Sequence, residues 1–371
     1  MSIRAVDMAY QTEVVATAAQ VDAVEWRSLW PSEQEGRDYY MVQDQAGLPG
    51  FEFGYLLLRR AGRLVMIAPL YVADFDFRLA FEGKAQQRLA RMQRVWPGLM
   101  VWRTLFCGGF ATERSVIAVA ADVAADPALW RAFDAALCAH ARQKRARMIV
   151  MKDFAADDSD ASLASLRVLG YSRSDALPMP VIDLPYKSLD EYLESLSTGT
   201  RKDLRRKQKQ TNSRGGLIVE ARQTIDPPLA QALHGLYRQV YNRSDLHFET
   251  LTPAYFEGFG RLQPEHSVYF LYFSGQNDSR QLIGFNLCTV HDGRLMDKYI
   301  GMDYSQAHQY NLYFVSFLYN VQWCIEHGLK AYVLNQGGYE LKAKFGATMH
   351  PLMHMTRMVN PILNSLQARF T

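Results

Sequence analysis

Apolar residues along the chain fall into two kinds of run. Short alternating or continuous stretches read as strands, and longer stretches with apolar positions three and four apart read as helices. In the first half, Phe53–Arg59 and Leu64–Val72 predict a β-hairpin turning at Ala61-Gly62. An irregular polar stretch over 74–98 leads to a third strand, Leu99–Phe106, ending at Cys107-Gly108-Gly109. Asp126-Pro127 opens a helix, Asp as N-cap and Pro in the first turn, with Leu129, Phe133, Ala136, Leu137 and His140 at helical spacing. Met148–Met151 is the next strand, Leu163–Leu169 a short helix stopped by Gly170, and Val181–Leu184 the last strand.

The second half repeats this order. Val268–Phe273, Leu282–Val290 and Arg294–Asp303 predict three strands, the last two joined by Asp292-Gly293, a turn pair that supplies the positive φ of a tight hairpin. A polar loop, Ser305–Asn311, leads to a helix, Leu312–Glu326, closed by Gly328. Lys330–Leu334 predicts a strand, Gly338–Phe345 a short helix and Leu352–Val359 a final strand. Ahead of this copy come Leu189–Glu194, a basic helix over Thr200–Thr211, a strand Leu217–Arg222, and helices at Leu229–Tyr241 and Pro253–Arg261. Two copies of one unit, strand-strand-strand-helix-strand-helix-strand, imply an α/β (α+β) protein of two tandem lobes, 1–185 and 186–371. Each lobe is then a mixed, mostly antiparallel twisted sheet flanked by helices.

Composition narrows the classes. The chain has 371 residues, enough for about two domains, and 41 Lys and Arg against 38 Asp and Glu give a net charge of +3. That balance argues against a general nucleic-acid binder and makes any anion site local. The cysteines, Cys107, Cys138, Cys288 and Cys324, lack metal-ligand spacing and sit in apolar stretches, as buried thiols do. No metal site, no DNA partner and no membrane span are expected, and no cleavable leader is read at the N-terminus, so the location expected is cytoplasmic. Neither a nucleophile elbow, a Rossmann glycine fingerprint nor a phosphate-binding P-loop occurs.

Chemistry concentrates in the second copy. Leu193-x-x-Leu196-Ser197-x-x-x-Arg201-x-x-Leu204-Arg205-Arg206 forms a basic opening helix. Arg201, Arg205 and Lys209 lie along one face of it, and six of the nine residues 201–209 are cationic. The stretch Asn335-Gln336-Gly337-Gly338-Tyr339-Glu340-Leu341-Lys342-x-Lys344-Phe345-Gly346 closes the copy with a G-x-x-x-K-x-x-F-G pattern. With the element order, these residues make the chain resemble the GNAT acyltransferase superfamily in its tandem form. The second half also resembles the branch of the CelD/BioF2-like acetyltransferases and the Fem peptidoglycan aminoacyl transferases.

The resemblance implies an N-acyltransferase that moves an acyl group from a thioester, acyl-CoA first, to the amine of a small molecule or amino-acid-like acceptor. Attack is direct, with no covalent enzyme intermediate. Two alternatives stay open: a Fem-like transfer from aminoacyl-tRNA or an acyl carrier protein, and a non-catalytic tandem GNAT that binds a ligand. The second lobe is the catalytic one, and the first is structural or shapes the acceptor site.

The resemblance also assigns residues. Backbone groups of the central strand at Tyr299, Ile300, Gly301 and Met302, with a bulge that Gly301 permits, would meet the donor carbonyl. The loop Gln306-Ala307-His308-Gln309-Tyr310-Asn311 would face the donor's phosphates from a helix N-terminus, although the usual glycines are missing. Tyr339 would protonate the leaving group. Asn335 and Lys342, with Arg201 and Arg205, would hold the donor arm. Strand periodicity puts Asp297, Tyr299 and Asp303 on one face, with Lys298 and Ile300 on the other and Asn286 able to join from the adjacent strand. Asp297, Asp303 and Glu340 are therefore candidate bases. His247 and Glu249, among aromatics after the helix at Leu229–Tyr241, are candidate acceptor-binding groups.

Overall fold

The computed structural model describes residues 10–30, 35–76, 101–156, 161–244, 248–275, 279–367, and the account below is confined to them. The chain divides into two compact units. One is drawn from 1–31, 50–176 and 351–371, the other from 32–49 and 177–350.

In the first unit β1 (Gln11–Val15), β2 (Glu52–Arg60), β3 (Arg63–Asp76) and β4 (Val101–Cys107) form an antiparallel run. The β2–β3 turn is Ala61-Gly62, both at positive φ as a two-residue hairpin requires. A short β5 (Ala118–Val119) adds to β3. β4 then pairs in parallel with β6 (Met148–Ala155). The crossover between them carries α3 (Pro127–Gln143), whose N-cap Asp126 accepts from the N–H of Ala128. Its apolar stripe of Leu129, Trp130, Phe133, Leu137 and Ala141 packs against Leu56, Leu58, Val65 and Ile149 of the sheet. The preceding helices α1 (Ala23–Leu29) and α2 (Arg37–Gln45) lacked a sequence expectation; α2 belongs to the second unit.

The second unit repeats the plan. β8 (Ile218–Arg222), β9 (Ser267–Ser274), β10 (Gln281–His291) and β11 (Arg294–Met302) run antiparallel. The β10–β11 turn is Asp292-Gly293, again with both φ positive. β11 pairs in parallel with β12 (Ala331–Val333). On one face lies α10 (Leu312–Glu326), packed with α5 (Leu189–Ser195) and α6 (Thr198–Ser213) around Tyr192, Leu204, Phe317, Val321 and Phe345. On the other lie α7 (Pro227–Tyr241) and α8 (Pro253–Leu262). All four cysteines are buried free thiols.

The last strands depart from the contiguous halves 1–185 and 186–371. β13 (Thr348–Met358) pairs with β6, Leu352 opposite Ala155 and Met358 opposite Met148, so it completes the first unit's sheet. β7 (Ser172–Asp183), through Val181–Asp183, pairs with β12 and completes the second. A short helix α4 (Ala161–Val168) precedes β7, and α12 (Pro361–Gln367) follows β13. The alternation of apolar residues in 352–359 announces a strand but not which sheet it joins. That choice is made by the edge left unpaired beside β6.

Candidate active site

β11 and β12 part. Their parallel ladder covers Arg294 with Ala331, Leu295 with Tyr332 and Met296 with Val333, and there β12 ends while β11 continues to Met302. The chain after β12 turns to β7 instead, the N–H of Leu334 going to the carbonyl of Pro180. A fork therefore opens at Asp297. The N–H of Asp303 points to Ile283 on β10. By strand alternation the N–H groups of Ile300 and Met302 point to the side that β12 has left.

The register slips at this point. Cys288 lies opposite Asp297 and Leu287 opposite Tyr299, so Lys298 is an extra residue, a β-bulge. This overturns two expectations. Asp297 and Tyr299 do not share a face, because the bulge interrupts the two-residue period. Asp297 faces α10, while Lys298 and Tyr299 both face α7 and α8. The bulge is also not at Gly301. A Cβ there would meet the Phe285 ring and, at 2.7 Å, the backbone nitrogen of Tyr237, so that glycine lets α7 approach the strand.

Asp297 sits at the base of the fork, ringed by protein yet keeping some exposed surface. The amide nitrogen of Asn286 donates to both of its oxygens, at 3.0 Å each. The Tyr332 hydroxyl donates to Oδ2 at 3.1 Å. Behind Tyr332 the chain of bonds continues: Asn320 Nδ2 donates to the Tyr332 oxygen at 2.9 Å and the Tyr272 hydroxyl to Asn320 Oδ1 at 2.7 Å. Burial raises the Asp297 carboxyl to about 6, against the lowering pull of Asn286, the Lys342 charge and Tyr332. Burial also lowers Lys342 to about 8, with Asp297 pulling it back up, and the Lys342 ammonium donates to the carbonyl of Asn335. Because Asn286 must turn its nitrogen to Asp297, its oxygen points away, and that buried oxygen has no partner. A carboxylate beside an amide oxygen without a partner is an arrangement that suits an N–H donor.

Tyr313, in the first turn of α10, is half-buried and close enough to Asp297 to feel its charge; burial and that charge push its hydroxyl up to about 12. Among the described residues no protein group bonds it. The helix begins at Asn311, held in the left-handed region at φ 46°. The loop before it is tied to α6: Thr211 Oγ1 donates to the carbonyl of Tyr310, Arg214 to that of Gln309, and Asn311 Nδ2 to that of Lys207. Lys207 pairs with Asp203 and lies 3.3 Å from the centre of the Phe314 ring.

Asp297, Asn286, Asn335 and Lys342 thus come together at the fork, with Ile300 and Met302 on its rim. The other candidates stand elsewhere. Asp303 caps the short helix α9 (Tyr304–Ala307), accepting from the N–H and hydroxyl of Ser305. Tyr299 donates to Glu249 at 3.1 Å on the α7–α8 face, its ring against Tyr237 and Tyr255. Gln306 is held by Ser274 and Gln281 at the ends of β9 and β10, and His308 and Gln309 are exposed. Tyr339 opens α11 (Tyr339–Lys344) with its hydroxyl on the carbonyl of Pro178, and Glu340 is exposed. Arg201 donates to the carbonyl of Glu194 and Arg205 pairs with Asp190. His247 lies outside the described residues. Sequence reasoning missed Tyr313 and the Tyr332–Asn320–Tyr272 chain. The signal was available: Asn320, with Ser316, is a polar residue on the buried stripe of a largely apolar helix.

A family model described as FemAB-like, peptidoglycan biosynthesis/recognition, matches residues 124–370. The chain belongs to the FemAB-like family. Among solved structures it is similar to a tandem GNAT protein from the clavulanic acid biosynthesis pathway, at 12% identity over 95% of this chain and 99% of that one, TM-score 0.53. FemX is similar at 13% identity over 85% and 90%, TM-score 0.52. The C-terminal domain (DUF2156) of a putative lysylphosphatidylglycerol synthetase from Agrobacterium fabrum is similar at 12% identity over 95% of each chain, TM-score 0.51. At such identities the structural likeness concerns the fold alone. No curated protein sequence matches significantly. The FemAB-like chain is an acyltransferase with the tandem GNAT fold. Among the described residues no helix is long and apolar enough to cross a membrane, and no cluster of side chains could hold a metal ion.

Proposed function

We propose that this FemAB-like protein forms an amide at the fork of its second unit, Asp297 receiving the proton of the attacking amine. The observation that carries the reading is the half-open Asp297 carboxylate, raised to about 6, at the point where β11 and β12 part. An ammonium arriving there meets Asp297 and the unpartnered oxygen of Asn286. The ammonium gives one proton to Asp297 and attacks the activated carbonyl as the neutral amine, the developing oxyanion within reach of the rim N–H groups of Ile300 and Met302. Tyr313 supplies a proton to the departing oxygen or sulfur and regains one from the nitrogen as the amide forms, a role its unbonded hydroxyl suits better than the tethered one of Tyr339.

For the donor, aminoacyl-tRNA is favoured over acyl-CoA. The loop before α10 has no glycine, the N–H groups of Gln309, Tyr310 and Asn311 are turned back onto the carbonyls of Gln306 and His308, and Gln306 faces Gln281 rather than the fork. A pyrophosphate cradle of the ordinary kind is therefore absent among these residues, while exposed cations of α6, Lys202 and Lys209 among them, remain for a nucleic-acid backbone. The acceptor class that suits the family description is the amine of a peptidoglycan-type stem peptide. Such a donor would put the reaction in the cytoplasm. Acyl-CoA is the second reading, favoured by the fold likeness to a tandem GNAT protein.

The test incubates the full chain with radiolabelled aminoacyl-tRNA or acetyl-CoA and a lysine-containing stem peptide. Transfer from tRNA, abolished by Asp297→Asn, is the expected result. Transfer from acetyl-CoA alone overturns the donor assignment, and equal turnover by Asp297→Asn overturns the base.

A further inference from the structure

We infer that Tyr272, acting through Asn320, fixes the direction of the Tyr332 hydroxyl so that its hydrogen stays on Asp297, which makes all three of them positioning residues for the base. The inference deepens the transfer reaction proposed above and rests on it for its kinetic arm only.

The three side chains come from three elements of the second unit, Tyr272 from β9, Asn320 from α10 and Tyr332 from β12. Each is at most 1% exposed, and they lie among apolar side chains that include Phe317, Val321 and Cys324. The Tyr332 ring stacks on Phe317 with centroids 6.0 Å apart, and the Tyr272 ring stands edge-on to Tyr319 at 6.2 Å. The rings are held, so what remains to be set is the turn of each hydroxyl and of the amide between them.

Donors and acceptors set that turn. Two hydroxyl hydrogens have one amide oxygen and one carboxylate to meet. With the amide nitrogen toward Tyr332, the Tyr272 hydroxyl donates to Asn320 Oδ1 at 2.7 Å, Asn320 Nδ2 to the Tyr332 oxygen at 2.9 Å, and the Tyr332 hydroxyl to Asp297 Oδ2 at 3.1 Å. With the amide reversed, the Tyr332 hydroxyl would turn to Asn320 and leave Asp297. The Tyr272 hydroxyl would then have no acceptor among the described residues. A buried donor without a partner costs its full desolvation, so the chain keeps the first direction. Tyr272, which makes no hydrogen bond to Asp297, thereby decides where the Tyr332 hydrogen goes. A hydroxyl donating to a carboxylate favours its charged form, which a base needs where burial opposes that charge. The other ionisable groups facing Asp297 are the Cys288 thiol of β10, which donates to Oδ1 at 3.8 Å, Tyr313 of α10 and the Lys342 ammonium of α11. None of them takes part in the chain of bonds.

The experiment compares the full-length chain with Tyr332→Phe, Tyr272→Phe, and Tyr272→Phe combined with Asn320→Leu. Tyr319→Phe serves as a packing control, because Tyr319 touches the Tyr272 ring but is outside the chain of bonds. Three quantities are measured: the melting temperature, the titration of Asp297 by carboxyl carbon NMR (assigned with Asp297→Asn), and the pH profile of kcat/KM. Tyr332→Phe is expected to raise the Asp297 titration by about one pH unit and Tyr272→Phe by about half as much, the acid limb of kcat/KM moving with it. The double variant removes the competing amide, so its Asp297 titration returns to within about 0.2 pH unit of the wild type although two buried polar groups are gone. Loss of packing alone would move the double variant further than the single one. The inference is overturned if Tyr272→Phe leaves the titration in place, if the double variant moves it further, or if Tyr319→Phe moves it equally. If even the wild-type chain transfers from neither donor, the proposed reaction fails, while the Asp297 titrations still decide for or against the chain of bonds.

Discussion

Asp297 is a carboxylate whose surroundings both oppose and support its charge, and pH separates the two. Its ordinary value is 3.8 and its folded value about 6. Below pH ~4 it is protonated in both folded and unfolded chains. Between about 4 and 6 only the folded chain keeps the proton, so its contribution to stability is lost as pH rises through the folded value. Asp297→Asn should therefore gain on the wild type by about 2–3 kcal/mol between pH 4 and pH 8, measured by urea unfolding at each pH. Activity runs the other way. As a base Asp297 must be ionised, so kcat/KM should fall about tenfold per pH unit below 6 and be flat above it. The assignment of the acid can be checked at one atom: Tyr313→Phe should cost about a hundredfold in kcat and Tyr339→Phe less than about threefold. Equal losses would return the role to Tyr339.

At the scale of elements the strands and helices of the second unit were largely legible. Leu312–Glu326 is helical over the span that its periodicity and Gly328 imply. β9, β10 and β11 differ from expectation by a residue or so at their ends. What the pattern could not show is the bulge. A two-residue period assumes unbroken alternation, and one inserted residue reverses the faces of everything after it. Asp297 and Asn286 were placed together correctly, because Asp297 stands opposite Cys288, two residues from Asn286 on β10, whose own alternation is unbroken. Tyr299 was not. The adjacent charges Asp297 and Lys298 in an apolar strand were the trace left in the sequence. Gly301 belongs to this scale too. Gly301→Ala would push its methyl group against the α7 backbone and should lower stability by about 2 kcal/mol, read as a shift in denaturation midpoint without a change in slope. An unchanged midpoint would mean that α7 can withdraw without cost.

At the scale of the molecule the two units exchange their closing strands. Val181–Asp183 pairs in the second sheet and Leu352–Met358 in the first. Cutting the chain into contiguous halves 1–185 and 186–371 would part Val181–Asp183 from β12 and Leu352–Met358 from β6. Expressed separately, each is expected to show little amide protection from hydrogen exchange and a broad, weakly cooperative melt. A cooperative transition in either half would contradict the exchange.

By itself the sequence determined what local physics controls: where strands and helices start and stop, the repeat of one unit, and the four thiols without metal spacing. These follow from periodicity, capping and turn chemistry, which act over a few residues. Tertiary structure alone decided which sheet each closing strand joins, which face Asp297 occupies and which tyrosine stands free beside it. Each of these depends on a partner far along the chain, such as Pro178 for Tyr339 and Tyr332 for Asp297. No local pattern encodes a contact whose geometry is settled only when the sheet has closed.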